Sequence, residues 1–390
     1  MAKDIIIGID AGTSILKVVA FTLNGKEIAS SSKKNIYKTS HGGQATQSLD
    51  ATWKNCIKII SELKNKINNF KDRVAIISVT GQGDGTWLID KKGKPVCDAW
   101  LWLDSRSSDI AKKLSKLNSE KLRFDLTGTG IFAGQQSSQI SYMDKNNPEI
   151  LDQSSTAFHC KDWIYFKLTN VRATDPSEAC FTFGNFRTRQ YDENVIDGLG
   201  LTKRKNLLPD IIDGSKVTHP LSDNVATLIG LNSGTPIALG YIDAVCTFLG
   251  SGGLDINKDV GNSILGTTGG HMKATEVSQI VPNSNLKSGY IMLLPIENLA
   301  LQFQTNMSGT LNIDWLKFLI KDIFNDFDLN LNDNEFIKKI DQWLKKAKPG
   351  KLIYHPYISE AGERGPFVNT KAKASLIGLR SNDKFPEIVR

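Results

Sequence analysis

The chain has 390 residues, of which 40% are hydrophobic and 23% charged, and its formal net charge is +7. These values are ordinary for a folded protein of two or three domains, and without a basic block they argue against a nucleic-acid-binding arm. The five dispersed cysteines form no CxxC pair, which argues against a disulfide framework or a zinc site. The apolar run at residues 5–9 is too short for a signal peptide or a membrane span, so a cytoplasmic protein is expected.

The first part of the chain is predicted to combine short strands with one long helix. In chain order, the predicted elements are strands over 5–9, 16–22 and 27–31, a helix over 49–67, and strands over 74–80 and 86–90. Asn24 and Gly25 are a strong hairpin signal between the second and third strands. The first three strands are therefore expected to form an antiparallel meander. The helix shows apolar residues at helical spacing, and Asp50 is its predicted cap.

A similar pattern starts again near Thr235, which indicates an internal duplication. Strands are predicted over 236–241 and 262–265, and helices between 321 and 350. This arrangement predicts an α/β fold of the two-domain, actin-like ATPase (ribonuclease H-like) type. We place the boundary near residue 250, which gives a first domain over 1–250 and a second domain over 251–390.

The turn after the first strand carries groups that suit phosphate binding. Its candidate residues are Asp10, Gly12, Thr13, Ser14 and Lys17. A tight turn exposes backbone N–H groups, glycine lets a ligand approach the backbone, and the hydroxyl and ammonium groups add donors and charge. Asp10 is also a candidate for holding Mg²⁺ through water, because magnesium keeps much of its hydration shell. An ordinary β-turn with a capping aspartate is the alternative.

A second turn repeats this chemistry in the second half of the chain. Gly266, Thr267 and Thr268 follow a predicted strand, and two such turns facing each other would clamp one triphosphate. Asp243 ends another apolar strand. Its carboxylate could accept the proton of an attacking hydroxyl, as phosphoryl transfer requires. Capping of the next helix is the alternative role for this aspartate.

A third group of residues suits a neutral ligand that carries several hydroxyls. Its members are Gln82, Gly83, Asp84, Trp102, Asp104 and Arg106. Carboxylates and amides bind hydroxyls, and an aromatic wall excludes water. The alternative is structural, with Trp100 and Trp102 in the core and Asp104 paired with Arg106. P-loop, protein-kinase, nucleophile-elbow and Rossmann motifs are absent from the sequence.

The order and spacing of these motifs resemble the FGGY carbohydrate kinases. The matching segments are 8–14 with Lys17, 81–85, 102–106, 240–243 and 266–269. The resemblance implies ATP and Mg²⁺, with the two Gly/Thr turns on the phosphates and Asp243 as catalytic base. It also implies that the third group binds a small sugar or polyol, and that copies of the chain could associate into a homo-oligomer.

Finer features of the resemblance bear on the substrate. The segments 81–90, 160–163, 173–178 and 181–184 resemble the members that act on erythritol, so phosphorylation of that polyol at a terminal hydroxyl is expected. Glycerol is disfavoured because Gly83 and Asp84 stand where glycerol kinases have an Arg-Glu pair. A ketopentose such as xylulose or ribulose is the alternative substrate.

The end of the chain departs from the family pattern. Residues 374–379 open a family signature, and the chain stops at Arg390 partway through it. We therefore expect a truncated second domain with exposed apolar surface. A non-catalytic fragment that binds polyol is one alternative function, and an actin- or Hsp70-like ATPase that moves partners is another.

Overall fold

The computed structural model describes residues 3–255, 260–369 and 371–390. Contacts divide the chain into two units. Unit 1 comprises Met1–Val260, Lys273–Ser284 and Tyr290–Gln302, and unit 2 comprises Gly261–Met272, Asn285–Gly289 and Phe303–Arg390. The predicted boundary near residue 250 stays a prediction. In the described residues no helix is both long and apolar enough to cross a membrane.

Twenty-one strands are described. They are β1 (Ile5–Ala11), β2 (Ile15–Thr22), β3 (Glu27–Lys34), β4 (Lys38–Ser40), β5 (Gln44–Gln47), β6 (Val74–Gly81), β7 (Trp87–Ile89), β8 (Ala99–Trp100), β9 (Thr156–Phe158), β10 (Ala173–Thr174), β11 (Gly184–Asn185), β12 (Gln190–Tyr191), β13 (Asp210–Ile211), β14 (His219–Pro220), β15 (Pro236–Leu239), β16 (Asn262–Leu265), β17 (Gly269–Glu276), β18 (Tyr290–Leu293), β19 (Leu299–Asn306), β20 (Ile353–His355) and β21 (Ser375–Ile377).

Fourteen α-helices are described along the same residues. They are α1 (Leu49–Lys64), α2 (Phe70–Arg73), α3 (Ser108–Leu114), α4 (Glu120–Thr127), α5 (Gln136–Asn146), α6 (Pro148–Gln153), α7 (Cys160–Thr169), α8 (Pro176–Thr182), α9 (Glu193–Gly198), α10 (Asp223–Ile229), α11 (Asp243–Gly250), α12 (Leu311–Asp326), α13 (Asp333–Lys346) and α14 (Phe385–Val389). The helices predicted between residues 321 and 350 correspond to the end of α12 and to α13.

A six-stranded sheet in the order β14-β15-β6-β1-β2-β3 organises unit 1. Strands β1, β2 and β3 pair antiparallel, which confirms the predicted meander, whereas β6 runs parallel to both β1 and β15. Because β1, β6 and β15 are parallel, their carboxyl ends lie at one edge of the sheet. The candidate residues that follow these three strands are therefore brought to that edge.

Apolar side chains from the sheet and from α1 and α7 form the larger core of unit 1. Ile7 and Ile77 of the sheet, Ile59 and Leu63 of α1, and Trp163 of α7 are fully buried in this cluster. Burial of each such aliphatic side chain contributes about 1.5–3 kcal/mol to folding. This core packs against the strands and so fixes the position of the sheet edge at which the candidate residues lie.

The start of α1 corrects one prediction. The Ser48 side chain accepts a hydrogen bond from the Ala51 backbone N–H at 3.3 Å, and Ser48 has the extended backbone conformation of an N-cap. The predicted cap at Asp50 is therefore wrong. Asp50 already lies within the first helical turn, where its carboxylate instead interacts favourably with the positive end of the helix dipole.

Unit 2 contains the antiparallel pair β16–β17, in register from Asn262 opposite Met272 to Leu265 opposite Gly269. A separate four-stranded sheet has the order β16-β17-β19-β18. Several large apolar side chains on and after α12 are exposed to solvent. They are Ile313, Trp315, Phe318, Leu319, Ile323 and Phe327. Much of this helix therefore contributes little to a core within the described residues.

Candidate active site

The first turn begins at Asp10, close to the end of β1. Asp10 lies directly across the sheet from Lys17 of β2. Desolvation raises the pKa of the Asp10 carboxyl above its ordinary value, and the positive charge of Lys17 acts in the opposite direction. The predicted charge partner Lys17 is thus beside Asp10, whose carboxyl is partly desolvated although the residue still reaches solvent.

Asn35 holds the backbone of this turn. Its Nδ2 donates to the Gly12 carbonyl at 3.0 Å, and its backbone N–H donates to the Ser14 carbonyl at 2.8 Å. A Cβ added to Gly12 would lie 2.8 Å from the Ile15 carbonyl oxygen, so a larger residue would displace the turn. Two carbonyls are therefore turned toward Asn35 and away from the open side of the turn. Asn35 was not predicted from the sequence.

Thr13 connects the first turn to the residues predicted to bind a ligand with several hydroxyls. Its hydroxyl donates to Gln82 Oε1 at 2.9 Å and accepts from Trp102 Nε1 at 3.0 Å. The buried Gln82 in turn donates from Nε2 to Gln47 Oε1 at 3.0 Å. Three candidate residues that are distant in sequence thus form one hydrogen-bonded chain. The hydroxyl proton of Thr13 is engaged within the protein.

The turn after β6 has a restricted backbone. Asp84 has a φ of 53°, in the left-handed region, and its side chain is buried. A Cβ on Gly83 would lie 2.6 Å from Cγ1 of Ile242 and 2.9 Å from Oε1 of Glu178, so a larger residue would have to displace these side chains. Burial and the neighbouring charge of Asp243 hold the pKa of Asp84 well above its ordinary value. In the described part of the chain, Oδ1 of Asp84 is buried without a hydrogen-bond partner.

Asp104 and Arg106 form a closed ion pair. The Arg106 guanidinium donates to the buried Asp104 carboxylate at 2.7–3.1 Å, and Oδ2 of Asp104 also accepts from the Ala45 backbone at 2.9 Å. The guanidinium carbon stacks 3.2 Å from the ring centroid of the buried Trp100. These contacts match the structural alternative for this pair. Trp102, by contrast, is 42% exposed.

Asp243 is the first residue of α11 and follows closely after β15. Its Oδ1 accepts from the Ala244 backbone N–H at 2.7 Å. Burial and, to a smaller extent, the like charge of Asp10 raise the pKa of Asp243 to about 7. Since Asp243 also raises the pKa of Asp84, the structure brings Asp243 within electrostatic reach of both Asp10 and Asp84.

The second Gly/Thr turn is held by the start of α12 within unit 2. The Gly266 carbonyl accepts from the Thr310 backbone N–H at 2.7 Å, and the Thr267 carbonyl accepts from the Gly309 N–H at 2.8 Å. A Cβ on Gly309 would lie 2.7 Å from the Thr268 carbonyl oxygen. The side chains of Thr267 and Thr268 are exposed. Their hydroxyls make no hydrogen bond to the described residues.

Whether the site fits a divalent metal ion depends on the donor atoms that it offers. The described residues contain no group of three or more His, Cys, Asp or Glu side chains that could hold a metal ion. Mg²⁺ bound with a nucleotide needs only one or two carboxylates, since phosphates and water complete its shell. Asp10 offers such a carboxylate, and the like charges of Asp10 and Asp243 would be relieved by a cation. The donor set therefore fits Mg²⁺.

Buried polar residues behind the site were not assigned by sequence reasoning. They are Gln47, His159, Ser177 and Glu178. Ser177 and Glu178 lie in segment 173–178, which contributed to the family resemblance without receiving a role. The contacts of Gln47 with Gln82, of Ser177 with Ile242 and of Glu178 with Asp84 join residues far apart in sequence, so no local pattern marks them.

The comparisons with known proteins agree with this geometry. Residues 5–250 match the model of the FGGY family of carbohydrate kinases, N-terminal domain. The chain is 50% identical over 387 residues to the erythritol kinase of Brucella abortus (strain 2308), a match that covers 99% of this chain and 74% of that relative. It is 25% identical over 380 residues to a xylulose kinase of Staphylococcus xylosus, with 97% and 74% covered.

Solved structures show the same architecture. The ligand-bound xylulose kinase from Lactobacillus acidophilus has a TM-score of 0.83 at 24% identity, covering 100% of this chain and 75% of that one. The Plasmodium falciparum glycerol kinase with ADP has a TM-score of 0.77 at 19% identity, with 100% and 75% covered. These similarities show the fold, and the predicted actin-like ATPase architecture is confirmed.

Fold and sequence together define a sugar kinase. The chain belongs to the FGGY family of carbohydrate kinases, as the matched family model and the 50% identical relative show. The predicted family and enzyme class are therefore confirmed, and ATP is the phosphoryl donor that this class uses. The roles of the individual site residues and the prediction of a truncated second domain stay predictions.

Proposed function

We propose that this chain phosphorylates erythritol, or another short polyol, at a terminal hydroxyl with ATP as the donor. The 50% identity to an erythritol kinase supports the choice of substrate. The observation that carries the chemistry is the position of Asp243, which lies in the electrostatic field of Asp10 on the first turn and acts on Asp84. Asp84 belongs to the turn after β6, residues 82–85, which we call the ligand turn.

Asp243 acts as the general base in this proposal. The oxygen of the terminal hydroxyl bonds to the γ-phosphorus of ATP, the bond from that phosphorus to the β,γ-bridging oxygen breaks, and Asp243 accepts the hydroxyl proton. The products are ADP and a phosphate monoester. A pKa of about 7 leaves a substantial fraction of Asp243 ionised at neutral pH and matches its basicity to the task.

Most of the other predicted residues bind the two substrates. Gln82 and Asp84 offer polar groups to the polyol hydroxyls, and Trp102 offers an exposed ring face. Asp104 and Arg106 support this region as a closed pair. Gly12, Ser14 and Lys17 of the first turn, and Gly266, Thr267 and Thr268 of the second, would contact phosphate oxygens. Asp10 would hold Mg²⁺, which neutralises phosphate charge when it is bound.

The test is ADP release from ATP and Mg²⁺ with erythritol, ribitol, xylitol, xylulose, ribulose or glycerol as acceptor. The wild-type chain should respond most strongly to erythritol, and Asp243→Asn should reduce that response by about 10²–10⁴-fold, as expected for loss of a general base. Asp109→Asn is the matched control, because the Asp109 side chain is 89% exposed on α3. This control should retain full activity.

Four outcomes would decide against the proposal. A preference for xylulose or ribulose would replace the polyol by a ketopentose. Calorimetric binding of erythritol without turnover would indicate a non-catalytic polyol-binding fragment. Equal ADP release with and without any acceptor would indicate an ATPase of another kind. Retention of activity in Asp243→Asn would remove Asp243 from the catalytic role.

A further inference from the structure

The first turn of α8 contacts two of the candidate catalytic segments from behind. Ser177 Oγ accepts the Ile242 backbone N–H at 3.1 Å, immediately before Asp243. Glu178 Oε2 accepts the backbone N–H of Asp84 at 3.3 Å. Both acceptor side chains are buried, with at most 1% exposure. Two adjacent side chains thus fix the backbone next to the base and within the ligand turn.

Buried charges hold this part of α8 in place. Oδ2 of Asp175 accepts from the Ser177 backbone at 2.7 Å and also from the Ser177 hydroxyl. Lys161 Nζ lies 2.6 Å from both Asp175 Oδ1 and Asp162 Oδ1. The carboxylates raise the pKa of Lys161, so its ammonium group stays charged. Burying such ion pairs costs a large desolvation free energy. A gain in folding stability is therefore a weak explanation for why they are present.

The surroundings of Glu178 leave part of its carboxyl without a partner. His159 Nε2 lies 3.6 Å from Oε2, whereas Oε1 is buried and has no hydrogen-bond partner among the described residues. Burial raises the pKa of Glu178 to about 8. The charges of Asp84 and Asp175 add to this rise, and those of His159 and Lys161 oppose it. The carboxyl is therefore mainly protonated at neutral pH and can face Asp84 without strong repulsion.

We propose that Ser177 and Glu178 are positioning residues, with Ser177 aligning Asp243 through the Ile242 backbone and Glu178 aligning the ligand turn through the Asp84 backbone. This inference rests on the proposed function, in which Asp243 acts on the hydroxyl and Asp84 binds the polyol. Neither positioning residue contacts a substrate. Because the two act on different partners, their loss should change different kinetic constants.

Steady-state kinetics of four variants test this division. Glu178→Met removes the acceptor for the Asp84 N–H at similar volume and should raise the KM for polyol about tenfold, the upper range for one hydrogen bond, with kcat within about threefold. Glu178→Gln retains an acceptor oxygen and should keep KM within about threefold of the wild-type value. The Gln variant thus keeps the acceptor oxygen while it removes the ionisable carboxyl group.

Ser177→Ala should show the opposite behaviour. Its kcat should fall by about 10- to 100-fold, because small displacements of a catalytic group are costly, while the KM for polyol stays within about threefold. Ser138→Ala is the matched control, since Ser138 is fully buried on α5 and its hydroxyl has no partner in the described residues. This control should leave both constants unchanged. Thermal melting establishes that each variant is folded.

Several results would overturn the proposal. Equal KM increases in Glu178→Met and Glu178→Gln would show that Glu178 only supports the fold. Parallel losses of kcat in Glu178→Met and Ser177→Ala would show the same for both residues. A wild-type chain without polyol-dependent turnover would instead refute the proposed function. In that case calorimetric polyol binding to the two Glu178 variants, and crystal structures showing whether Asp243 moves in Ser177→Ala, decide the positioning roles by themselves.

Discussion

The two Gly/Thr turns share a sequence pattern but are supported in different ways. Mainly side chains hold the first turn, where the Asn35 amide binds the Gly12 carbonyl and Thr13 bonds to Gln82 and Trp102, with one backbone bond from Asn35 to Ser14. Mainly backbone contacts hold the second turn, through the N–H groups at the start of α12. The comparison shows that threonines at similar positions of the two sequence patterns need not have the same role. The Thr13 hydroxyl is engaged within the protein, whereas those of Thr267 and Thr268 are exposed.

The largest effect is expected from the backbone support of the second turn. Gly309→Ala would place a Cβ against the carbonyl oxygens of Gly266 and Thr268 and force these two segments apart. We expect kcat for polyol phosphorylation to fall by about 100-fold, since misplacement of a binding loop by about 1 Å is sufficient for such a loss. Stability should fall by about 1–3 kcal/mol, as for other overpacked sites, measured by denaturant unfolding.

Gly261→Ala is the control for this variant. A Cβ at Gly261 would meet only the Met272 carbonyl at 3.6 Å, an ordinary contact. Its activity and stability should therefore match those of the wild-type chain. If Gly309→Ala retained full activity, the backbone support of the second turn would be dispensable and the comparison between the turns would fail.

The acid limb of the pH profile of kcat/KM should reflect the ionisation of Asp243, which lies in unit 1. Asp243 must be ionised to accept a proton, and its pKa is raised to about 7. Below that pH the value of kcat/KM should therefore fall about tenfold for each pH unit, while it should level off above it. The same limb should persist in Thr267→Val, because that residue lies in unit 2. A flat profile between pH 5 and 8 would contradict the assignment of Asp243.

Valine substitutions should separate the two turns by their effect on folding. Thr13→Val leaves the buried Oε1 of Gln82 without its donor, and we expect a loss of about 1–3 kcal/mol in the free energy of unfolding, with a severalfold rise in the KM values of both substrates. Thr267→Val should change stability by less than about 0.5 kcal/mol, as exposed sites do, and should raise only the KM for ATP. Equal destabilisation would show that the two threonines are equivalent after all.

The smallest effect is expected at Asn35. Asn35→Ala removes the Nδ2 bond to Gly12 but keeps the backbone bond to Ser14. Because the backbone bond to Ser14 remains, we expect the low end of the range for one hydrogen bond, about 0.5 kcal/mol, so the KM for ATP should rise two- to threefold while the KM for polyol stays constant. Initial-rate measurements at varied ATP test this. A change in the polyol KM alone would show that Asn35 supports the ligand turn instead.

Elements with a clear local pattern were predictable from the sequence. The meander, the long helix and the strands that precede Gln82 and Asp243 follow from apolar periodicity and turn residues. The cap of α1 was not predicted correctly, because Ser48 and Asp50 are both suitable residue types and only the backbone conformation distinguishes them.

Residues whose roles depend on distant partners could not be predicted. The hydrogen bond between Asp84 and Glu178 spans 94 residues, and that between Ile242 and Ser177 spans 65. Neither contact leaves a spacing pattern in the sequence. The Asp104–Arg106 pair shows the opposite case, because proximity in sequence identified the pair but not whether its carboxylate is free for a ligand.

The confined geometry of the ligand turn has a consequence for engineering. Gly83 is enclosed by Ile242 and Glu178, and the left-handed backbone of Asp84 disfavours most replacements other than glycine and asparagine. A library randomised at both positions would therefore consist mainly of misfolded or inactive members. The Trp102 ring is exposed and its backbone lies outside the left-handed region, so a search for altered substrate range would best begin there.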